Sequence, residues 1–148
     1  MRRRARSARK LSSCTALLEL EIPAGSTLRG SPVTGPFAAD LLKARKKRSV
    51  YILHDNQTFG KGVANGFRSR ANKLDIDVKG FEPWDAKAAS YEAIGERIKA
   101  TGAQSIYFGG IVCNNGVKLL KDIYAVVGKG ILFVGPDGWT PFTATAAA

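Results

Sequence analysis

Few residues in this chain have the types and spacing that chemistry needs. His54 and Asp55 are the first candidates, an imidazole next to a carboxylate, as an acid–base pair requires. They follow an apolar run, Val50-Tyr51-Ile52-Leu53, that reads as a buried strand. Adjacent residues at a strand end point to opposite faces, so the two side chains diverge and His54 reads as a packed or surface histidine. Gly60-Lys61-Gly62 with Gly66, and Glu82 further on, raise a second chemistry: a glycine turn cradling a dinucleotide, with an acid on its ribose. The pattern is imperfect, since position 65 is Asn and the third glycine comes one residue late. His54 to Phe59 also separate the strand from Gly60, whereas a dinucleotide turn places its first glycine almost directly after the strand. A nucleotide-binding, Rossmann-like enzyme using Gly60–Gly66 and Glu82 therefore stands as the second reading. Cys113 is the remaining nucleophile, but His54 is the only histidine, which leaves no second imidazole to activate a thiol. The same count excludes a His-based metal cluster, and two cysteines, Cys14 and Cys113, form neither a zinc pattern nor a disulfide framework.

The elements that must position these residues alternate. A helix opens near Gly35-Pro36, with Phe37, Ala38, Leu41 and Leu42 as its apolar face and Lys43, Arg45, Lys46, Lys47 and Arg48 as a solvated basic end. After strand Val50–Leu53, Val63, Phe67, Ala71 and Leu74 form a stripe at helical spacing over about 58–74. A strand over 76–81 and a helix over about 90–101 follow, the helix with Tyr91, Ile94 and Ile98 inward and Gly102 as cap. Strand 105–108, helix 115–127 with Val117, Leu120, Ile123 and Val127 inward, and strand 131–134 complete the series. The order α-β-α-β-α-β-α-β with short loops implies an α/β fold, a parallel sheet covered on both faces. Its loops 55–60, 82–89, 109–114 and 135–140 then share one edge, bringing Phe59, Trp84, Asp85, Asn114, Asp137 and Trp139 together as a small-molecule cleft would. Polar turns at that edge are also what any α/β protein carries.

Bulk properties narrow the function classes. At 148 residues the chain makes about one domain, and no apolar run approaches a membrane span. The net charge of +11 is uneven: residues 1–48 hold 12 Lys and Arg against 3 Asp and Glu, while 49–148 hold 11 against 9. The basic character belongs to the front of the chain, so no nucleic-acid-binding domain follows from it. Residues 1–34 read as a disordered basic leader and 142–148 as a disordered tail. Leu11-Ser12-Ser13-Cys14 has the look of a lipoprotein cleavage site, yet it lacks the apolar segment a signal peptide places before cleavage.

YILHDNQTFGKGVANGF, SYEAIGERIKATGAQSIYFGG and VGPDGW, at these separations, resemble the periplasmic branched-chain amino acid binding proteins. These are type I substrate-binding components of ABC importers. The resemblance spans about 36–141 and implies the second of two lobes, residues 35–141, as an incomplete three-layer αβα unit of Rossmann or flavodoxin-like form. It implies a site shared with a first lobe: Phe59 covering the ligand, Ile111 at a contact position, and Asp137 pairing with the ligand's α-ammonium. Such pairing is chemically apt, because a partly buried ammonium needs a charged partner. It further implies an amino acid as ligand, no catalysis, no cofactor and no metal, and permease subunits as partners of the full-length protein, with neither nucleic acid nor stable membrane insertion. The location implied is periplasmic, although no signal peptide is recognisable, which leaves a cytoplasmic chain as encoded. A third reading is a gene fragment without function of its own.

Overall fold

The computed structural model describes residues 34–139. The expected leader and tail lie outside the described residues, apart from Thr34, which opens the first helix. The elements are α1 (Thr34–Ala44), β1 (Ser49–His54), α2 (Thr58–Lys73), β2 (Asp77–Pro83), α3 (Glu92–Thr101), β3 (Ser105–Gly109), α4 (Gly116–Val127) and β4 (Leu132–Val134), then a single 3₁₀ turn, Asp137–Trp139. The strands form a parallel sheet in the order β2-β1-β3-β4. Every residue of β1 and β3 is buried, as central strands covered on both faces require. β2 and β4, at the edges of this sheet, are only half-covered.

Alternation along β1 and β3 divides the core between two faces. Val50, Ile52 and Tyr107 lie with Ala64, Phe67 and Ala71 of α2 and Ala38, Ala39 and Leu42 of α1. Tyr51, Leu53, Ile106 and Phe108 lie with Ile98 of α3 and Leu119 and Ile123 of α4. The expected stripe on α2 is buried at Val63, Phe67 and Ala71, and Gly102 caps α3 in the left-handed conformation, φ 65°.

Two helix faces differ from expectation. Of the expected face of α1, Ala38 and Leu42 are buried, with Ala39 beside them, while Phe37 and Leu41 are 72% and 39% exposed. The reason is close approach: a Cβ on Gly35 would meet Phe67 N at 2.7 Å, so α1 lies nearly against the α2 backbone and only small residues fit between them. On α4 the deepest residues are Leu119 and Ile123, while Val117, Leu120 and Val127 pack half-buried at the margin of the same cluster. α3 begins at Glu92, with Tyr91 as its N-cap, and the Tyr91 N–H donates to Asp122 of α4 at 2.9 Å. Arg45 to Arg48 follow α1 rather than ending it, and Lys43 Nζ donates to the Leu74 carbonyl at 2.9 Å.

Candidate functional site

Sequence order and sheet order part company at β1 and β3: β2 lies on one side of β1, and the chain then crosses back to place β3 on the other. The crevice at the carboxyl ends of such strands is where open α/β sheets hold ligands. Here it is bounded by the loop after β1, which leads to Phe59, and the loop after β3, which holds Ile111.

Asp55 builds this edge. It is 4% exposed, and its N–H donates to the Gly109 carbonyl at 3.0 Å. One carboxylate oxygen accepts from the Gln57 N–H at 3.1 Å; the other accepts from the Ile111 N–H at 3.3 Å and from Asn114 Nδ2 at 2.7 Å. Glycines make room for it. A Cβ at Gly60 would overlap the Asp55 carboxylate and meet the Gly109 carbonyl oxygen at 2.6 Å. A Cβ at Gly110 would stand 2.5 Å from Asp55 Cγ. Asp55 thus serves the scaffold.

The remaining loops are tied to the same edge. Trp84 N–H donates to the His54 carbonyl and Trp84 Nε1 to the Asn114 carbonyl, each at 2.8 Å. Tyr91 Oη donates to the Asp85 carbonyl at 2.5 Å and accepts from Asn115 Nδ2 at 3.0 Å. The Val112 N–H donates to the Gly138 carbonyl at 2.9 Å, which sets the 3₁₀ turn beside Ile111. A Cβ at Gly138 would meet Ile111 Cγ2 at 2.7 Å.

The expected site residues therefore divide. Phe59, 36% exposed, and Ile111, half-buried, lie at this edge, and the backbone of Asp137 joins them through the turn; the Asp137 side chain lies outside the described residues. Trp84 and Trp139 are core residues: they are 2% and 8% exposed and pack edge to face within the α3/α4 cluster. Asn114 is spent on Asp55. Tyr91 and Asn115 were not expected here, and a buried tyrosine followed by an acid on α4 left no spacing signal that could have found them.

The electrostatics bear on the two rival chemistries. His54 is 5% exposed, and its Nδ1 accepts the Asn56 N–H at 3.1 Å. Burial lowers its pKa, Lys61 lowers it further, and Asp55 partly offsets both. Asp55 donates nothing to His54 and receives nothing from it among the hydrogen bonds above, so the two do not act as a pair. Glu82, the acid a nucleotide would need, is engaged by Tyr51 Oη at 2.9 Å and by Arg97 Nη2 at 3.0 Å. Burial and the Glu82 hydrogen bond raise the Tyr51 pKa. Gly60 is occupied by helix–strand packing, and a Cβ on Gly62 would meet nothing within 4 Å. Cys113 lies exposed in the loop after β3 and is not a free thiol. Among the described residues no group of three His, Cys, Asp or Glu could hold a metal ion, and no helix is long and apolar enough to cross a membrane.

Two shallow depressions are separate from Phe59 and Ile111. One, of about 290 Å³, is lined by residues of α2 and β2 including Arg68 and Phe81. The other, of about 260 Å³, lies beside β4 and includes Phe133 and Trp139. Neither is lined by Phe59 or Ile111.

Solved structures share this fold. The chain is similar to a putative branched-chain amino acid ABC transporter protein from Rhodospirillum rubrum, with a TM-score of 0.69 at 17% identity, over 78% of this chain and 33% of the other. It is similar also to an ABC transporter substrate-binding protein from Desulfitobacterium hafniense, solved in complex with Leu, with a TM-score of 0.61 at 19% identity, over 73% and 32%. The sheet and its helices have the fold of part of a periplasmic-binding-protein type I lobe. In sequence, the chain is 32% identical over 107 residues to the leucine-, isoleucine-, valine-, threonine- and alanine-binding protein of Pseudomonas aeruginosa, over 72% of this chain and 27% of that protein. No family model matches the chain. Its curated homologues include Leu/Ile/Val-binding proteins, and the chain is homologous to part of them. It spans little more than a quarter of the length of these relatives.

Proposed function

We propose that this chain supplies one side of an amino-acid site in a substrate-binding component of an ABC transporter, binding without catalysis. The supporting observation is the coincidence of two facts: the homologues are named for binding leucine, isoleucine and valine, and Phe59, Ile111 and the Asp137 backbone share the crevice edge of the sheet. Phe59 covers the apolar part of the ligand, Ile111 extends that surface, and the Asp137 carboxylate pairs with the ligand ammonium. A charged hydrogen bond to such an ammonium contributes about 1.5–3 kcal/mol. A periplasmic location and permease subunits as partners belong to the same reading.

One open edge cannot enclose an amino acid, and binding sites for small molecules usually cover most of the ligand. Titration of the chain with leucine, isoleucine and valine should therefore give saturable binding well weaker than micromolar, seen as chemical-shift changes at Phe59 and Ile111. Submicromolar affinity by calorimetry, or no shift at these residues at high ligand concentration, overturns the reading. Asp137→Ala should weaken binding by roughly tenfold or more. A thermal shift with NAD or NADP, absent with leucine, would favour the nucleotide-binding enzyme instead.

A further inference from the structure

We infer that Asp55 is a positioning residue of this site, one that sets the Phe59 and Ile111 jaws relative to each other without touching ligand; as a statement about ligand it rests on the amino-acid reading above. The two residues follow different strands and stand 52 positions apart in the sequence. Backbone pairing between β1 and β3 ends at His54 and Gly109, so the sheet does not itself fix what lies beyond. Past that point, the Asp55 carboxylate supplies a link. Its Oδ1 holds the Gln57 N–H, two residues before Phe59, and its Oδ2 holds the N–H of Ile111 itself.

The link is stiff for three reasons. Asp55 is almost fully buried, so water does not compete readily for its oxygens. Asn114 Nδ2 adds a third donor to the oxygen that holds Ile111. Gly60 and Gly110 close on the carboxylate from both sides, as the overlaps at their Cβ positions show. Gly110 also has φ 153°, a conformation other residues adopt only with strain, so the turn into Ile111 depends on this arrangement. A carboxylate is the fitting group here: all three partners are donors, and a neutral amide would turn an N–H towards one of them.

The test uses the full 148-residue chain and its Asp55→Asn variant, with amide hydrogen exchange by NMR and titration with L-leucine. The asparagine keeps the size of the side chain and replaces one acceptor by a donor. The expected result is local: protection of the Gln57 or the Ile111 N–H, whichever faces the new amide group, falls by about tenfold while that of Ile52 in β1 changes by less than about twofold, and leucine affinity falls by about tenfold. Equal loss of protection at Ile52 and Ile111 would reduce Asp55 to a general stabiliser and overturn the inference. So would unchanged protection and affinity. If Asp55→Asn does not fold, Asn114→Ala carries the same comparison with an expected loss at Ile111 of about threefold, and no loss there overturns it. If the parent chain shows no leucine-induced shift, the amino-acid reading fails by itself, and exchange at Ile111 still decides whether Asp55 joins the two loops.

Discussion

Gly60 and Gly62 stand two residues apart on α2 and answer to opposite physics. Gly60→Ala drives a methyl group into the Asp55 carboxylate and the Gly109 carbonyl, and should destabilise the fold by about 1–3 kcal/mol. Gly62→Ala meets nothing within 4 Å and should stabilise by up to about 1 kcal/mol, because alanine favours an exposed helix. Urea unfolding of both variants checks the pair. His54 supports a second prediction. Folding lowers its pKa, so the unfolded chain takes up the proton more readily. The contribution of His54 is then complete above the ordinary histidine value of about 6.5 and is lost as pH falls below it towards the lowered folded value. His54→Asn keeps an acceptor near the Asn56 N–H but does not titrate, and should flatten the pH dependence of stability just below 6.5. What the residues revealed in advance was type and neighbourhood. That Phe59 precedes a helix-opening glycine was readable, whereas the purpose of that glycine was not, because it depends on a carbonyl from β3.

At the level of elements, periodicity found each helix and strand among the described residues to within a few positions, together with the inward stripe of α2, and failed on part of the inward face of α1. Phe37 and Leu41 are large and apolar, so they looked like core; α1 buries Ala38, Ala39 and Leu42, and Gly35 brings it close to α2. Unfolding measurements should separate the neighbours cleanly. Leu42→Ala should cost about 2–5 kcal/mol, and Leu41→Ala about 0.5 kcal/mol or less. Leu119→Ala should likewise cost more than Leu120→Ala on α4. The tryptophans misled in the other direction. They occur in loops and were expected at a surface, but both are core residues: Trp84 is held through its Nε1 by Asn114, and Trp139 packs over Gly116 and Gly135. Loop residence is a matter of backbone, and burial is a matter of what folds over it.

For the molecule as a whole, Phe37 and Phe59 are the exposed phenylalanines among the described residues, each on the first turn or so of its helix. Apolar side chains shown to water in this way favour association. Sedimentation should show concentration-dependent self-association that Phe37→Gln reduces while unfolding free energy changes by about 0.5 kcal/mol or less. A monodisperse chain at high concentration would refute this. The segregation of aromatic residues has a further, optical consequence. Both indoles sit in the α3/α4 cluster with Phe108, while the other face holds the stacked Phe67–Tyr107 pair, 4.0 Å between centroids, and no tryptophan among the described residues. Intrinsic fluorescence excited at the indole band therefore watches one side of the sheet only. Emission from Trp84 and Trp139 that shifts before circular dichroism at the helix band changes would mean that the α3/α4 side loosens first, and the two halves of this small core could be timed separately without adding a label.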